Sequence, residues 1–224
     1  MDILEAIGGR CSIRGFCPDP ITKEILKEIL EIATHAPSAL NIQPWEFAVL
    51  TGDVLKNVQE GNMEMLNAGT SPNQDQSGSE WPHDSVYRHR QVELGKNIFK
   101  LMGIQREDKE KRTQWAGRGF RYFDAPAAII ILADRSVTEN GFLLDIGAVM
   151  QTICLTAINY GLGTCIENQG VMYPQALRKH AHIPDNKRII VSIAIGYPDW
   201  DFPANKLETT REDVDNITSW YGFT

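Results

Sequence analysis

Two arginines flank a serine near the start of the chain, in the segment Arg10-Cys11-Ser12-Ile13-Arg14. In an extended segment alternate side chains point to the same side, so Arg10, Ser12 and Arg14 would lie together. Two guanidinium groups and a hydroxyl are donors that suit a phosphate. Spacing alone favours a simpler interpretation, a solvent-exposed basic stretch, because surface arginines are common.

A second polar segment runs from Ala36 to Trp45, with the sequence APSALNIQPW. Two prolines, Pro37 and Pro44, stiffen it, and its polar side chains are Ser38, Asn41 and Gln43. A rigid loop with donors and acceptors suits an amide-rich heterocycle. Taken alone, the loop is more typical of a connection between a helix and a strand.

A third segment, GLGTCIEN, runs from Gly161 to Asn168. Its glycines leave room for a ligand beside backbone N–H groups, although it is not a G-x-G-x-x-G motif. Cys165 has no histidine that can be placed beside it, so we predict a buried structural thiol rather than a nucleophile. Arg211 is a lone arginine in a polar tail, which is usually a surface charge.

The composition excludes several classes of function. The chain has 224 residues with 22 Lys and Arg against 29 Asp and Glu, a formal charge of −7, so we expect no nucleic-acid partner. Four cysteines and scattered histidines predict neither a disulfide framework nor a metal site, and they favour a reduced, cytoplasmic protein. The most apolar stretch, 141–161, contains Asp145, Gln151 and Asn159, so we expect no membrane span.

The spacing of apolar residues predicts the helices and strands that position these segments. Thr22 is a plausible N-cap for a helix whose apolar residues follow one stripe, Ile25, Leu26, Ile29, Leu30 and Ala33. Residues 127–133 and 189–195 are continuous apolar runs typical of buried strands. Residues 143–160 predict a central buried helix closed by Gly161. Residues 68–80 predict a mobile loop, and 86–115 predict two helices hinged near Gly103. The order indicates an α+β or α/β protein.

Taken together, these segments resemble the nitroreductase family of FMN-dependent oxidoreductases. The N-terminal block from Glu5 to Phe16 resembles E-A-I-x-x-R-R-S-x-R-x-F, and 36–45 resembles A-P-S-x-x-N-x-Q-P-W. Further matches follow in order along the chain: Phe123-Asp124-Ala125-Pro126, Asp145-Ile146-Gly147, Gly161 to Cys165, Gly196-Tyr197-Pro198 and Arg211. The sequence departs from the pattern at Cys11, where a second arginine is usual, and at Asp124, where glycine is common.

The resemblance implies an α+β fold with a central, mostly antiparallel sheet wrapped by helices, in an intertwined homodimer with two FMN sites at the interface. Arg10, Cys11, Ser12 and Arg14 would hold the FMN phosphate and ribityl chain, with Arg14 near the N1/O2 edge of the flavin. Arg211 would add a phosphate contact. Pro37, Ser38 and Asn41 would come from the partner subunit against the ring. Ile166, Glu167 and Asn168 would run beneath the flavin, with a backbone N–H near N5.

The resemblance also implies an activity. NADH or NADPH would reduce the flavin at N5 and leave, and a nitroaromatic, quinone or similar electron-poor acceptor would then be reduced, a ping-pong reaction that needs no side-chain nucleophile. We expect one domain over 1–224. Residues 68–120 or so resemble the long lid insertion found in one branch of the family. Six aromatic side chains are candidates to line the open face of the flavin: Trp81, Tyr87, Phe99, Trp115, Phe120 and Phe123.

Two other functions remain open at this point. A reductive dehalogenase of the same fold would grip an amino acid with a lid Glu-x3-Tyr pair, and neither Glu80, Glu93 nor Glu107 has a tyrosine at that spacing. A flavin-binding sensor or storage protein would keep the same phosphate contacts and react slowly with nicotinamides.

Overall fold

A four-stranded antiparallel sheet lies at the centre of the molecule. The structure is a computed structural model and describes residues 2–78, 80–138 and 140–223. The strands are β1 (Glu46–Thr51), β2 (Ala127–Asp134), β3 (Gly163–Glu167) and β4 (Lys187–Gly196), in the order β1-β2-β4-β3. The two long apolar runs form the central strands β2 and β4, and β1 and β3 are the edges. The prediction of an α+β fold with an antiparallel sheet is confirmed.

Eight α-helices surround the sheet in the described residues. They are α1 (Ile3–Gly9), α2 (Lys23–Ala33), α3 (Gly52–Asn67), α4 (Val86–Leu101), α5 (Lys109–Phe120), α6 (Phe142–Asn159), α7 (Pro174–Ala181) and α8 (Val214–Ile217). The Thr22 hydroxyl caps α2 by accepting from the Ile25 N–H, as predicted. Gly161, with a φ of 71°, follows α6 where a left-handed residue was expected.

One face of the sheet packs against α2 and α6. Ile29 of α2 and Val149 and Ile153 of α6 are fully buried against Ile129 and Ile193 of the central strands. By length and composition α6 is apolar enough to cross a membrane. Its buried residues belong to the core under the sheet, so we interpret α6 as the central helix of a globular fold.

The other face of the sheet packs against α3, α7 and the turn Tyr122–Asp124. Val58, Tyr122 and Leu177 are fully buried there. All three residues of the turn have positive φ, between 54° and 59°. Glycine favours this backbone region and Asp tolerates it, which explains why Asp124 stands at a position where the motif commonly has glycine.

The polar loop that follows α3 is attached to the body of the protein. Asp75 accepts hydrogen bonds from Arg178 Nη2 at 2.6 Å, Arg135 Nη2 at 2.8 Å and the Ile189 backbone N–H at 3.0 Å. The Tyr173 hydroxyl donates to the Thr70 carbonyl at 3.0 Å. The expectation of a mobile loop over its whole length therefore fails for the part up to Asp75, which is held by hydrogen bonds to the body of the protein.

Helices α4 and α5 lie in the segment for which the sequence predicts a lid insertion. They are separated by a turn at Gly103, with a φ of 63°, as the sequence predicted. The guanidinium of Arg90 on α4 pairs with the carboxylate of Glu212 in the C-terminal tail. The insertion is thereby connected to the segment that carries Arg211.

Candidate functional site

The segment from Arg10 to Arg14, called here the arginine segment, lies along the edge strand β3. Ser12 forms a parallel bridge with Thr164, and the Ile13 N–H donates to the Thr164 carbonyl at 2.9 Å. Ile13 is buried, whereas Ser12 and Arg14 on either side of it are half-buried. Burial thus alternates along the segment, as expected for an extended chain, and the Ser12 hydroxyl and the Arg14 guanidinium both lie close to the buried Cys165 thiol of β3.

Gly163 allows the arginine segment to approach β3 this closely. A Cβ atom at Gly163 would lie 2.4 Å from Ile13 Cγ1 and 2.9 Å from Pro198 Cγ. Such distances are far below van der Waals contact, so a side chain there would push the segment off the strand. The glycine of the third sequence motif therefore serves packing of the arginine segment.

Arg14 and Arg10 each lower the pKa of a buried cysteine thiol beside β3. Burial raises the pKa of Cys165 to about 12, and the nearby guanidinium of Arg14 offsets only part of that rise. Burial likewise raises the pKa of Cys154 on α6, against a smaller opposing effect of Arg10. Cys165 is therefore a neutral structural thiol, as predicted. The guanidinium groups of Arg10 and Arg14 therefore lie near two different buried thiols, Cys154 and Cys165.

The backbone of Arg14 is held by two residues that sequence reasoning missed. The side chain of Asn205 accepts from the Arg14 N–H at 2.6 Å, and Arg118 Nη2 donates to the Arg14 carbonyl at 3.1 Å. Asn205 lies 191 residues away in sequence and Arg118 lies 104 away. Neither belongs to a motif or to a periodic pattern, so the sequence offered no signal for them.

Glu167 ends β3 with its carboxyl group turned into the protein. Its oxygens accept from the Ser192 hydroxyl at 2.5 Å and from the Gly170 N–H at 2.8 Å. Burial raises the pKa of Glu167 to about 7, although these hydrogen bonds act in the opposite direction. Ile166 is half-buried and Asn168 exposed, so of the three predicted ring contacts Glu167 has only its backbone available to a ligand.

The loop with Pro37, Ser38 and Asn41 lies at the other edge of the sheet. It leads into β1, and its Ala39 N–H donates to Asp145 of α6 at 3.1 Å. The strand register places Thr164 level with Ile195, Ala127 and finally Thr51, the end of β1 remote from the loop. Strand β1, into which the loop leads, and the arginine segment are thus separated by four strand spacings, about 19 Å, and the loop lies at the opposite end of the sheet from the segment.

Arg211 lies apart from the arginine segment as well. Its Nη1 donates to Thr209 Oγ1 at 2.8 Å and to the Thr210 carbonyl at 2.9 Å. It lines a groove between the tail and α4, together with His89, Arg90 and Glu93. Within the described residues, no hydrogen bond joins Arg211 to Arg10, Ser12 or Arg14. Its role in phosphate binding stays a prediction.

The fold and these segments define an α+β protein with a cationic segment along one sheet edge and two helices, α4 and α5, between α3 and β2. A family model described as the nitroreductase family matches residues 7–197. The chain therefore belongs to the nitroreductase family, as the motifs indicated. Across the described ranges, no three His, Cys, Asp or Glu side chains are grouped as a metal site requires.

Named relatives cover almost the whole chain. A 4-nitrobenzoate reductase of Pseudomonas putida is 31% identical over 225 residues, which are 99% of this chain and 96% of the relative. A nitrobenzene nitroreductase of Ectopseudomonas oleovorans is 29% identical and covers 97% and 96%. The crystal structure of the FMN and NADPH-dependent nitroreductase NfnB from sphigopyxis sp. strain HMH superposes with a TM-score of 0.94 at 27% identity, covering 100% of both chains.

Proposed function

We propose that the protein is an FMN-dependent oxidoreductase that uses NADH or NADPH to reduce nitroaromatic, quinone or similar electron-poor acceptors. The observation that carries this proposal is the arginine segment, which presents two guanidinium groups and a hydroxyl beside a strand whose glycine permits close approach. Family membership and the names of the relatives support the same activity.

The residues fit an FMN phosphate by the chemistry of their donors. Arg10 and Arg14 each offer a guanidinium group with several N–H donors, and Ser12 adds a neutral donor between them. A phosphate dianion takes several charge-assisted hydrogen bonds of this kind. Cys11 contributes no charge, so the segment has one cation fewer than the family motif. Arg211 would supply a further cation if the bound state brings the tail to the segment.

Bound FMN supplies hydride transfer between the nicotinamide and the acceptor. The chain's own residues position the ring and adjust the charge around it. Arg14 would place positive charge at the N1/O2 edge and so favour the reduced, anionic state. Glu167 and Asn168 would present backbone groups, and Cys165 takes no part because it stays protonated.

The acceptor class follows from the relatives rather than from a contact in this structure. The relatives act, by their names, on nitrobenzoate and nitrobenzene. We propose the same class of small, electron-poor aromatic substrate here. The insertion at about 68–120 would act as the lid that covers it. Trp81 and Tyr87 are half-exposed with ring centroids 5.6 Å apart, whereas Phe120 and Phe123 are buried in the protein.

We propose that the protein is a homodimer. The separation of Pro37, Ser38 and Asn41 from the arginine segment within one chain supports this proposal. A second copy would supply the loop residues to a flavin that the first copy holds by its arginine segment. Large apolar side chains left exposed on the single chain suit burial in that interface; they are Ile3, Leu4, Ile7, Leu40, Ile217, Trp220, Tyr221 and Phe223.

We propose a cytoplasmic location for this dimer. All four cysteines, Cys11, Cys17, Cys154 and Cys165, are free thiols in the structure. Unpaired cysteines are typical of a reducing compartment.

The experiment is a visible spectrum followed by titration. Purified protein should absorb above about 400 nm, where oxidised flavin absorbs, and anaerobic NADH or NADPH should bleach the band. Addition of 4-nitrobenzoate should restore it, and the steady-state rates should follow ping-pong kinetics. A protein that stays colourless after incubation with FMN contradicts the proposal. A yellow protein that neither nicotinamide bleaches is a sensor or storage protein instead.

A further inference from the structure

Asn205 uses its whole side chain to fix the backbone around Arg14. Its Oδ1 accepts from the Arg14 N–H at 2.6 Å and from the Gly15 N–H at 3.2 Å. Its Nδ2 donates to the carbonyls of Gly15 and Asp199, both at 2.7 Å. An amide offers two donors and one oxygen with two acceptor positions, so all four are used. No other side chain of this size combines both functions.

The position of Asn205 is itself fixed. It lies in the short helix Pro203–Lys206 and is only 6% exposed. Its N–H donates to the Phe202 carbonyl at 3.0 Å. The Phe202 ring packs on Gly15, where a Cβ atom would lie 2.2 Å from the ring. A buried amide on a rigid turn therefore contacts a glycine that can accept no side chain.

Arg118 completes the attachment from the other side. Its Nη2 donates to the carbonyls of Arg14 and Phe123, both at 3.1 Å, and its Nη1 pairs with Asp124 at 2.9 Å. Its guanidinium lies 4.7 Å from the centroid of the Phe202 ring. The N–H and the carbonyl of Arg14 are thus both hydrogen-bonded to side chains. The preceding residue, Ile13, is in addition hydrogen-bonded to β3 through its N–H.

The side chain of Arg14, in contrast, is nearly unused. Within the described residues its guanidinium makes one hydrogen bond, from Nη1 to the Ser12 carbonyl at 3.3 Å. A cation whose backbone is fixed on both sides while its own donors stay available is preorganised for an anionic ligand.

We propose that Asn205 is a positioning residue that aligns Arg14 for the flavin nucleotide, so that its contribution to cofactor binding passes through Arg14. This inference rests on the proposed function, because it takes FMN as the ligand. It differs from a purely structural role, in which Asn205 would tie the tail to the N-terminal segment and the loss of its side chain would lower stability without a specific effect on Arg14.

The test is a double-mutant cycle on FMN affinity. The apoprotein is titrated with FMN by flavin fluorescence for wild type, Asn205→Ala, Arg14→Ala and the double variant. We expect Asn205→Ala to weaken FMN binding about tenfold in the wild-type background and less than about twofold in the Arg14→Ala background. Equal factors in the two backgrounds, or unchanged affinity in Asn205→Ala, would overturn the proposal.

Gln59→Ala is the matched control. Gln59 Nε2 donates to the Arg121 carbonyl at 3.0 Å, a side-chain bond to backbone of the same kind, without contact to Arg14. It should lower the melting temperature and leave FMN affinity unchanged. If Asn205→Ala does not fold, Asn205→Ser, which keeps a hydroxyl acceptor, replaces it in the cycle. Wild-type protein that binds no FMN would refute the proposed function itself, whereas additive effects on FMN-binding protein refute only the positioning role.

Discussion

Glu167 shows how a single residue departs from what its motif position suggests. The motif places it beside the flavin, and strand alternation turns its carboxyl group into the core next to Cys165. There it holds the turn after β3 through Ser192 and Gly170, while the Tyr122 hydroxyl donates to the Gly170 carbonyl at 2.7 Å. The side chain therefore holds, from the core side, the backbone of the segment that we propose faces the flavin.

The raised pKa of Glu167 makes stability depend on pH. Below pH 4.5 the carboxyl is protonated in both states, and between 4.5 and about 7 only the unfolded chain releases the proton. Raising the pH through this window therefore favours unfolding, and the effect is constant above it. Glu167→Gln removes the titration and keeps an acceptor oxygen. From pH 5 to 8, urea unfolding should show wild type losing about 3 kcal/mol relative to the variant. Parallel pH profiles would contradict the raised pKa.

The cysteines give a second prediction at this scale. Cys11 and Cys17 are half-buried, whereas Cys154 and Cys165 are buried with pKa values raised by that burial. Iodoacetamide should therefore modify the first pair well before the second. If the arginine segment binds FMN, saturating FMN should slow alkylation of Cys11 about tenfold, by occlusion of the thiol. Peptide mass spectrometry measures both rates, and Cys17 serves as the internal control. Equal protection of both thiols would argue against a site at Cys11.

Whether the sequence predicts a residue of the candidate site depends on how far apart its contacts lie along the chain. Arg10, Ser12 and Arg14 are candidates because of their alternate spacing and their resemblance to the family motif, and their role in FMN binding stays a prediction. Asn205 and Arg118 are not candidates from the sequence, because their contacts to Arg14 cross more than 100 positions. Such contacts depend on how the sheet and the insertion pack, and no local pattern in the sequence encodes that packing.

At the scale of helices and strands, the spacing of apolar residues predicts the elements whose side chains fill the core. The apolar runs of β2 and β4 and the buried helix α6 were readable because each has to fill the core along its length. The loop after α3 was not, because its composition is that of a flexible linker. Its attachment depends on one carboxylate, Asp75, which is 11% exposed and pairs with Arg135 in the turn after β2 and with Arg178 of α7.

For a loop residue, Asp75 should therefore contribute strongly to the free energy of unfolding. Asp75→Ala removes the carboxylate that pairs with Arg178 and leaves the Ile189 N–H without its acceptor, although Arg178 keeps its bonds to the carbonyls of Pro184 and Lys187. We expect a loss of about 3 kcal/mol in urea unfolding and faster proteolysis between residues 68 and 78. Asp84→Ala is the control, because its side chain is 99% exposed and should cost less than about 0.5 kcal/mol. Equal stability of the two variants would show that the loop is free in solution.

At the scale of the whole molecule, the proposed homodimer would bring together two groups of residues that a single chain holds apart. Its sheet edge β3 carries the cations, and the loop expected to meet the flavin ring lies at the far edge. Its tail, after α8, exposes three aromatic side chains: Trp220 at 62%, Tyr221 at 85% and Phe223 at 78%. Soluble monomers rarely leave such groups together in water. Dimer formation and flavin binding should therefore depend on each other.

The triple substitution of Trp220, Tyr221 and Phe223 by serine tests this dependence. These side chains are exposed in the single chain, so their loss should leave its fold and circular dichroism unchanged. Light scattering should give twice the chain mass for wild type and a larger monomer fraction for the variant. FMN affinity should fall at least about tenfold at micromolar protein and recover as protein concentration rises, because the dimer is the form that binds. Val54→Ser, a change at an exposed apolar residue of α3, should alter neither measurement. A wild-type monomer that binds FMN tightly would mean that one chain completes the site alone.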